Sequence, residues 1–282
     1  MPIDTEPLRH DNALASLPDW WLNSKLQEIE KRTENDVLSI YGNILPGIDM
    51  RVRLAIEALE ESRKEKLLVI LHTDGGVVEE VQNIVNILRH HYNGVHFLVP
   101  VKAMSAGTVL ALSGDKIYMD YFSRLGPIDP QIFENNRAVP ALSYLRQYER
   151  LIEKSKKGEL SSAEFVLLNK LDLAQLHKFA LAANLSISLI KSWLVKYKFK
   201  DWEKTPSEKE KRAGEIATAL NNHERWFSHG FNINKQILED EIRLKIDDYS
   251  DIKAEVWAYF WPLLEYAHQR DYPPLIHSRE FI

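Results

Sequence analysis

The feature that most constrains the fold is an unbroken apolar run at residues 67–71, with the sequence LLVIL. Five apolar residues without polar alternation predict a strand that is buried on both faces, as in a parallel sheet. The run ends in HTDGG at 72–76, and an amphipathic helix follows at once, with apolar residues at 77, 81, 84, 85 and 88. A buried strand that passes through a glycine turn into a helix indicates a βαβ unit, and therefore an α/β fold.

The hydrophobic pattern extends this unit along the chain. Further strands are predicted at 37–41, 95–99 and 116–119, and helices at 51–66 and 103–112. Beyond about residue 140 the chain is more charged and helical, with helices at 172–184, 186–199 and 250–269. We therefore predict three parts: an N-terminal arm (1–36), an α/β domain (37–250) and a C-terminal helical extension (251–282).

Composition and charge exclude several classes of protein. Lys and Arg number 36 and Asp and Glu 41, so the net charge is 36 − 41 = −5 and binding to nucleic-acid phosphates is not expected. The absence of cysteine excludes disulfide scaffolds, thiolate metal sites and cysteine nucleophiles. No apolar run approaches the ~20 residues that span a bilayer, and the N-terminus lacks a secretory signal pattern. We expect no spanning segment and a cytoplasmic location.

Two glycine-containing turns stand where chemistry is expected. The turns at 73–76 (TDGG) and 104–107 (MSAG) follow successive apolar strands and open helices, so both present unpaired backbone N–H groups. The first offers glycine donors of the kind that stabilise an oxyanion, and the second adds the hydroxyl of Ser105. The alternative for Ser105 is a helix N-cap. Neither turn matches the spacing of a dinucleotide-binding or P-loop motif.

Three motifs taken together resemble one family. HTDGG at 72–76, MSAGT at 104–108 and LGPIDPQ at 125–131 are similar to the serine dehydrogenase proteinases, which have the Clp-protease/crotonase fold and lie close to signal peptide peptidase A-like serine peptidases. The likeness extends over about 37–248, since SHG at 228–230 resembles the closing turn of the same core. The resemblance implies an α/β core of repeated β-β-α and βαβ units with added C-terminal helices.

The family resemblance also implies roles for residues. Ser105 would be the nucleophile of a serine endopeptidase, with an oxyanion hole formed by the N–H groups of Gly75, Gly76 and Ala106. A peptide or protein substrate would lie extended beside three further residues: Val77, Leu125 and Gly126. No cofactor and no metal are expected, and relatives of this fold usually form homo-oligomers.

The sequence offers more than one candidate for the general base. Clp proteases place a histidine about twenty-five residues after the serine, and this chain has none there, whereas signal-peptide-peptidase relatives use a lysine from a later helix. Lys178 is preferred because its helical neighbours at 171, 174, 181, 182 and 185 are apolar, so that burial would favour the neutral amine. A lysine that snorkels from a helix flank is the alternative. His229, in the SHG turn at 228–230, is recurrent in the family pattern that the chain resembles; the alternative is that it stabilises this turn.

Two other functions fit the same pattern. An enzyme of the crotonase type would bind an acyl thioester with the same two turns and would not need Ser105 as a nucleophile. A catalytically inactive relative would bind peptides or serve as a scaffold.

Overall fold

The computed structural model describes residues 19–134, 137–269 and 274–282. The strands in these ranges are β1 (Asp36–Tyr41), β2 (Lys66–His72), β3 (Gly94–Leu98), β4 (Lys102–Ala103), β5 (Lys116–Tyr118), β6 (Arg124–Leu125), β7 (Gln131–Glu134), β8 (Arg137–Pro140), β9 (Ile233–Asn234) and β10 (Leu275–His277). The α-helices are α1 (Asp19–Thr33), α2 (Ile48–Glu57), α3 (Val78–His91), α4 (Ala106–Ala111), α5 (Ala141–Lys156), α6 (Ser162–Asn169), α7 (Leu173–Trp193), α8 (Pro206–Leu220), α9 (His223–Trp226), α10 (Lys235–Asp240) and α11 (Lys253–His268).

The predicted α/β fold is confirmed. The central sheet has the strand order β10-β1-β2-β3-β5, and all its neighbours are parallel except the β10–β1 pair. Successive residues of β2 pack on opposite faces of the sheet, so that Leu67, Val69 and Leu71 join one core and Leu68 and Ile70 join the other. The first core is covered by α2, α3 and α4, and the second by α1 and α11. Burial on both faces is the reason for the unbroken apolar run.

A second, three-stranded sheet lies at the carboxyl end of β2. Its order is β4-β6-β9, with β6 parallel to β4 and antiparallel to β9. A bridge between Thr73 and Ala103 joins β4 to the end of β2. The arrangement places the residues after β2, β4 and β6 beside one another.

Some predicted boundaries are wrong. The helix predicted at 51–66 ends at Glu57, and a short 3-10 turn, Glu60–Ser62, follows it. The helices predicted at 172–184 and 186–199 are one continuous helix, α7, followed by a π turn at Leu194–Lys198. The C-terminal segment is not helical throughout, because β10 adds to the edge of the central sheet. The described part of the predicted N-terminal arm, 19–36, holds α1 and the first residue of β1.

Helix α7 is also notable for its composition. Together with the π turn it is long and apolar enough, by length and composition alone, to cross a membrane. This property was not predicted from the sequence. Its C-terminal half packs in the protein core, where Ile190 and Trp193 are buried. A core helix meets the same criteria, and α7 is part of the folded domain.

Candidate active site

Two glycines allow the turns after β2 and β4 to meet. A Cβ atom on Gly107 would lie 2.3 Å from Cγ2 of Thr73. A Cβ atom on Gly75 would lie 2.8 Å from Cβ of Ser105, and the backbone of Gly75 is left-handed (φ +110°). Only glycine fits either position without a shift of the backbone or its neighbours. The pairing of the two turns that the sequence suggested is therefore a direct packing contact.

Ser105 has a strained backbone at the start of α4. Its φ of 51° and ψ of −117° lie in a region that residues with side chains rarely adopt. Its side chain accepts no capping hydrogen bond from the helix, so the N-cap alternative is not what the structure shows. A serine held on a strained strand-to-helix turn presents its hydroxyl outward, as in the nucleophile elbow of α/β-hydrolases.

Backbone N–H groups beside Ser105 differ in their availability. The N–H of Gly75 donates to Oγ1 of Thr73 at 2.9 Å, so it is not available to an oxyanion. Within the described ranges, the N–H groups of Gly76 and Ala106 donate to no other protein group. Of the three N–H groups that the family resemblance implied for the oxyanion hole, those of Gly76 and Ala106 are therefore available to bind an oxyanion.

The position of Gly76 directs its peptide groups toward the site. Gly75 accepts from the N–H of Ile44 at 2.8 Å, and Val77 donates to the carbonyl of Ile44 at 2.9 Å. Because alternate residues of an extended chain point to opposite edges, the N–H and C=O of Gly76 point away from Ile44. They face the side on which Ser105 lies.

A cleft of about 570 Å³ opens beside these turns. Its lining includes Gly75, Gly76, Ser105 and Ala106. Apolar side chains form much of the remaining wall, from the loop before α2, from α3 and α4, from the loop after β6 and from α7: Leu45, Val77, Val78, Val109, Ile128, Ala182 and Leu185. The cleft is therefore a mainly apolar groove with a serine at one wall.

Asp129 and His229 lie together on the same cleft. The antiparallel register of β6 with β9 pairs Leu125 with Ile233, and extension of that register by four residues sets Asp129 opposite His229. Nδ1 of His229 and Oδ1 of Asp129 are 2.9 Å apart. The carboxylate is buried and its Oδ2 accepts from Gln131 at 2.9 Å, whereas the imidazole is a quarter exposed. A buried carboxylate thus orients a histidine that reaches the cleft.

The predicted substrate-binding residues have different positions. Val77 lines the cleft. Leu125 does not, because it is buried between β4 and β9 and both edges of its strand are already paired. Gly126 is also buried, and its N–H donates to Oγ1 of Thr108 at 2.9 Å while its carbonyl accepts from the same hydroxyl. Leu125 and Gly126 are therefore placed away from the cleft, and their role in substrate binding stays a prediction.

Lys178 lies on α7 but not on the cleft wall. Its side chain is exposed, as are those of Ala174, Leu181 and Ala182, so the apolar face expected to bury it is open to solvent. Ala182, one helical turn later, does reach the cleft. The premise of a desolvated lysine is wrong, because α7 packs through other residues, such as Leu176 and Phe179.

His72 also lies away from the cleft wall. Its ring stacks on Tyr41 at a centroid distance of 5.2 Å, and burial lowers the pKa of His72 to about 4, with the charge of Lys102 adding to the effect. It is a neutral packing residue beneath the glycine turn. Among the described residues, no group of three or more His, Cys, Asp or Glu is arranged to hold a metal ion.

Sequence reasoning did not assign a role to Asp129 or decide the role of His229. Both residues lie in motifs that had been noticed, LGPIDPQ and SHG, but they are 100 positions apart. The signal that could have joined them is the antiparallel pairing of β6 and β9, which are each only two residues long. Such short strands leave no periodic pattern.

A family model and two curated proteins match parts of this chain. The model of a family described as ClpP-like SDH-type serine proteinase matches residues 49–233. Two uncharacterized proteins of Methanocaldococcus jannaschii are similar: MJ0137 is 38% identical over 96 residues, and MJ1495 is 35% identical over 114 residues. The matches cover 34% and 39% of this chain and 32% and 36% of those proteins, so the chain spans about a third of the length of the curated relatives it matches.

Two solved structures are also similar. A mutant of the 1510-N membrane-bound stomatin-specific protease aligns with a TM-score of 0.39 and 19% identity, over 63% of this chain and 69% of that chain. A mutant of ClpP1 from Listeria monocytogenes aligns with a TM-score of 0.39 and 12% identity, over 79% and 98% of the two chains. The family match covers more than half of the chain and includes both turns, Asp129 and His229. The chain belongs to the ClpP-like SDH-type serine proteinases.

Proposed function

We propose that this chain hydrolyses peptide bonds with Ser105 as the nucleophile, His229 as the general base and Asp129 as the residue that orients the histidine. The observation that carries the proposal is the 2.9 Å contact between His229 and the buried carboxylate of Asp129, on the cleft where the strained Ser105 stands. A nucleophile, a base and an orienting carboxylate on one cleft are the parts that a serine hydrolase needs.

The proton path follows from the hydrogen bond to Asp129. With Nδ1–H donated to the carboxylate, Nε2 of His229 is left as the acceptor. In the proposed reaction Ser105 attacks the carbonyl carbon while its proton passes to Nε2, and the C–N bond breaks as that proton passes to the leaving amine. A water molecule then attacks the acyl-enzyme ester, giving its proton to Nε2, and the proton returns to Ser105 as the acid product leaves. Ser105 and His229 line the same cleft without a hydrogen bond between them, and we propose that this bond forms when substrate binds.

The backbone of the two turns supplies the electrostatic part of the proposal. The N–H groups of Gly76 and Ala106 would donate to the oxyanion that forms when Ser105 attacks. The carbonyl of Gly76 points to the same side and would accept from an extended substrate chain, as in strand addition. Val77 and the apolar wall of the cleft favour an apolar side chain next to the cleaved bond.

A Ser105–Lys178 dyad is the competing proposal for the base. Lys178 would have to leave solvent and pass Ala182, one turn further along α7, to reach the nucleophile. Nothing in the described structure pairs Lys178 with another residue. The His229 proposal needs no such rearrangement, and we favour it for that reason.

We also propose endopeptidase activity, a cytoplasmic location and self-association for this chain. The proposal of self-association is supported by a group of exposed apolar side chains on α6 and α7: Phe165, Val166, Leu167, Leu173 and Leu181. Sedimentation velocity of the purified chain and of a Phe165→Glu variant tests it, and a wild-type monomer at all concentrations would contradict it.

Labelling with a fluorophosphonate probe tests the proposed function. We expect covalent modification that peptide mapping locates at Ser105, because the probe reacts with an activated serine next to an oxyanion hole. Ser105→Ala should abolish labelling. Ser186→Ala is the matched control, since Ser186 lines the same cleft, and it should label like the wild type. An unlabelled wild-type protein would contradict the proposal and favour the acyl-thioester or scaffold alternatives.

A further inference from the structure

A second cleft lies near the amino ends of the strands of the central sheet, whereas Ser105 lies beyond their carboxyl ends. It has a volume of about 500 Å³ and adjoins another of about 340 Å³ near the amino ends of β3 and β5. Four residues line both clefts: Asp115, Lys116, Lys198 and Asp201. We call the larger of the two the basic cleft. None of its lining residues takes part in the proposed peptidase site.

The basic cleft concentrates positive charge in an acidic protein. Its lining holds five cations, Lys116, Lys198, Arg212, Arg243 and Lys245, and three carboxylates, so its formal charge is 5 − 3 = +2 against −5 for the whole chain. One carboxylate, that of Asp115, already binds Arg89 at 2.7 Å and Lys200 at 3.0 Å. Within the described ranges, Lys116, Lys198, Arg243 and Lys245 form no ion pair. Arg212 is paired with Glu215, and among the described residues Asp201 and Asp247 form no ion pair, so the unpaired groups of the lining still carry a charge of 4 − 2 = +2.

Lys198 is the most constrained of these cations. It ends the π turn at Leu194–Lys198, and its ammonium makes no hydrogen bond to any described residue. Burial lowers the pKa of Lys198 to about 8. The charges of Asp247 and Asp115 oppose this lowering, but neither carboxylate is within ion-pair distance of the half-buried Lys198. Since π turns occur often at functional sites, Lys198 is a position where an anionic ligand would gain a charged partner at short range.

The backbone at Arg243 gives a second indication. Its φ is +54°, a left-handed conformation that a residue with a long side chain adopts rarely. Strain of this kind is concentrated at sites of function. The strained position lies on the same cleft as Lys198, although the two residues come from different parts of the chain.

Aromatic side chains form another wall of the basic cleft. Phe199 and Trp202 lie next to each other, with ring centroids 5.3 Å apart, and Trp202 is exposed. An exposed indole offers a flat face on which an aromatic ring can stack. Asp201 and Asp247 lie on the same cleft and could accept hydrogen bonds from the amino or hydroxyl groups of such a ligand.

We propose that the basic cleft binds a nucleoside phosphate, with the phosphate between Lys198, Arg243 and Lys245 and the base stacked on Trp202. A ligand with both an anionic group and a flat ring matches both halves of the lining. The proposal is independent of the peptidase chemistry, since it uses none of the residues around Ser105.

Fluorescence anisotropy of N-methylanthraniloyl-ADP with the full chain tests the proposal. We expect saturable binding that ADP reverses at a lower concentration than either adenosine or inorganic phosphate. Lys198→Met should weaken binding by at least about tenfold, because a charged hydrogen bond to phosphate is lost. Lys245→Gln alters an exposed residue, carries little risk to folding and should also weaken binding. Trp202→Ala should weaken competition by ADP while leaving competition by phosphate unchanged.

The control variant is Lys211→Gln, an exposed lysine on α8 that does not line the basic cleft, and it should bind like the wild type. Absence of saturable binding to the wild type would overturn the proposal. So would wild-type affinity in both Lys198→Met and Lys245→Gln. Tripolyphosphate that competes as well as ADP would overturn the nucleoside assignment, because stacking on Trp202 would then add nothing.

Discussion

The contact between Gly107 and Thr73 gives a sharp test of how the two turns of the active site are held together. A Cβ atom on Gly107 would lie 2.3 Å from Cγ2 of Thr73 and 3.4 Å from Cβ of Ala103. Thr73 is completely buried, so its methyl group has no free volume into which it can turn. We expect Gly107→Ala to force the strand end and α4 apart.

The free energy of this change can be estimated from opposing effects. Alanine is preferred over glycine in a helix by up to about 1 kcal/mol, whereas an added methyl group in a packed core costs about 1–3 kcal/mol. We therefore expect Gly107→Ala to lower the free energy of unfolding by about 1–2 kcal/mol. Thr73→Ser removes Cγ2 but keeps the hydroxyl that accepts from Gly75, and should cost about 1 kcal/mol.

The double variant is the decisive sample. In Gly107→Ala with Thr73→Ser, the new methyl group occupies the space that the old one left. The double variant should therefore be more stable than the sum of the single changes predicts, by about 1–2 kcal/mol. Gly214→Ala on α8 is the matched control, because nothing lies within 4 Å of its Cβ position, and it should stabilise the protein by about 0.5–1 kcal/mol.

Urea unfolding followed by far-UV circular dichroism measures all four variants. Additive effects of Gly107→Ala and Thr73→Ser would refute the steric account of the contact. A Gly107→Ala protein that is stabilised as much as Gly214→Ala would refute it as well.

Three further predictions follow from particular residues. Gly76→Ala should abolish peptidase activity and lower the free energy of unfolding, because a Cβ atom there would lie 2.0 Å from the carbonyl oxygen of Ile44; a peptide-hydrolysis assay with parallel urea unfolding measures both. Ser105→Gly should lose activity yet unfold at a higher urea concentration than Ser105→Ala, since glycine relieves the φ of +51° at about 1 kcal/mol and alanine does not. Burial lowers the pKa of His277 to about 4, so the folded state binds a proton less readily than the unfolded state, and the free energy of unfolding falls as the pH drops from about 7 to 5. In His277→Gln this fall between the two pH values should be smaller than in the wild type by about 2 kcal/mol, as urea unfolding at both pH values measures.

Prediction from sequence succeeded where burial leaves a continuous or periodic apolar pattern. The run at 67–71 is apolar throughout because both faces of its strand are covered, and the helix after it has one apolar stripe; both are confirmed as β2 and α3. The start of α8 also has a local cause, since Thr205 and Glu208 form a capping box.

Prediction failed where distant segments decide the outcome. Strand β10 pairs with β1 from the other end of the chain, and three residues leave too little pattern to separate them from a helical tail. The face of α7 that carries Lys178 is apolar in sequence but exposed, because the packing of α7 against α5, α8 and the core decides which face is buried. The partner of His229 depends on the register of β6 with β9.

The rate at which a fluorophosphonate modifies Ser105 tests the central claim most directly, because it reports activation of the serine without knowledge of the natural substrate. His229→Gln keeps a polar side chain of similar size but cannot act as the base, and Lys178→Arg keeps the charge but cannot give up its proton. We predict that His229→Gln lowers the rate constant by about a thousandfold, within the range that a positioned general base contributes, while Lys178→Arg is modified at the wild-type rate. A Lys178→Arg protein that fails to react, beside a His229→Gln protein that reacts like the wild type, would contradict the Ser105–His229–Asp129 assignment.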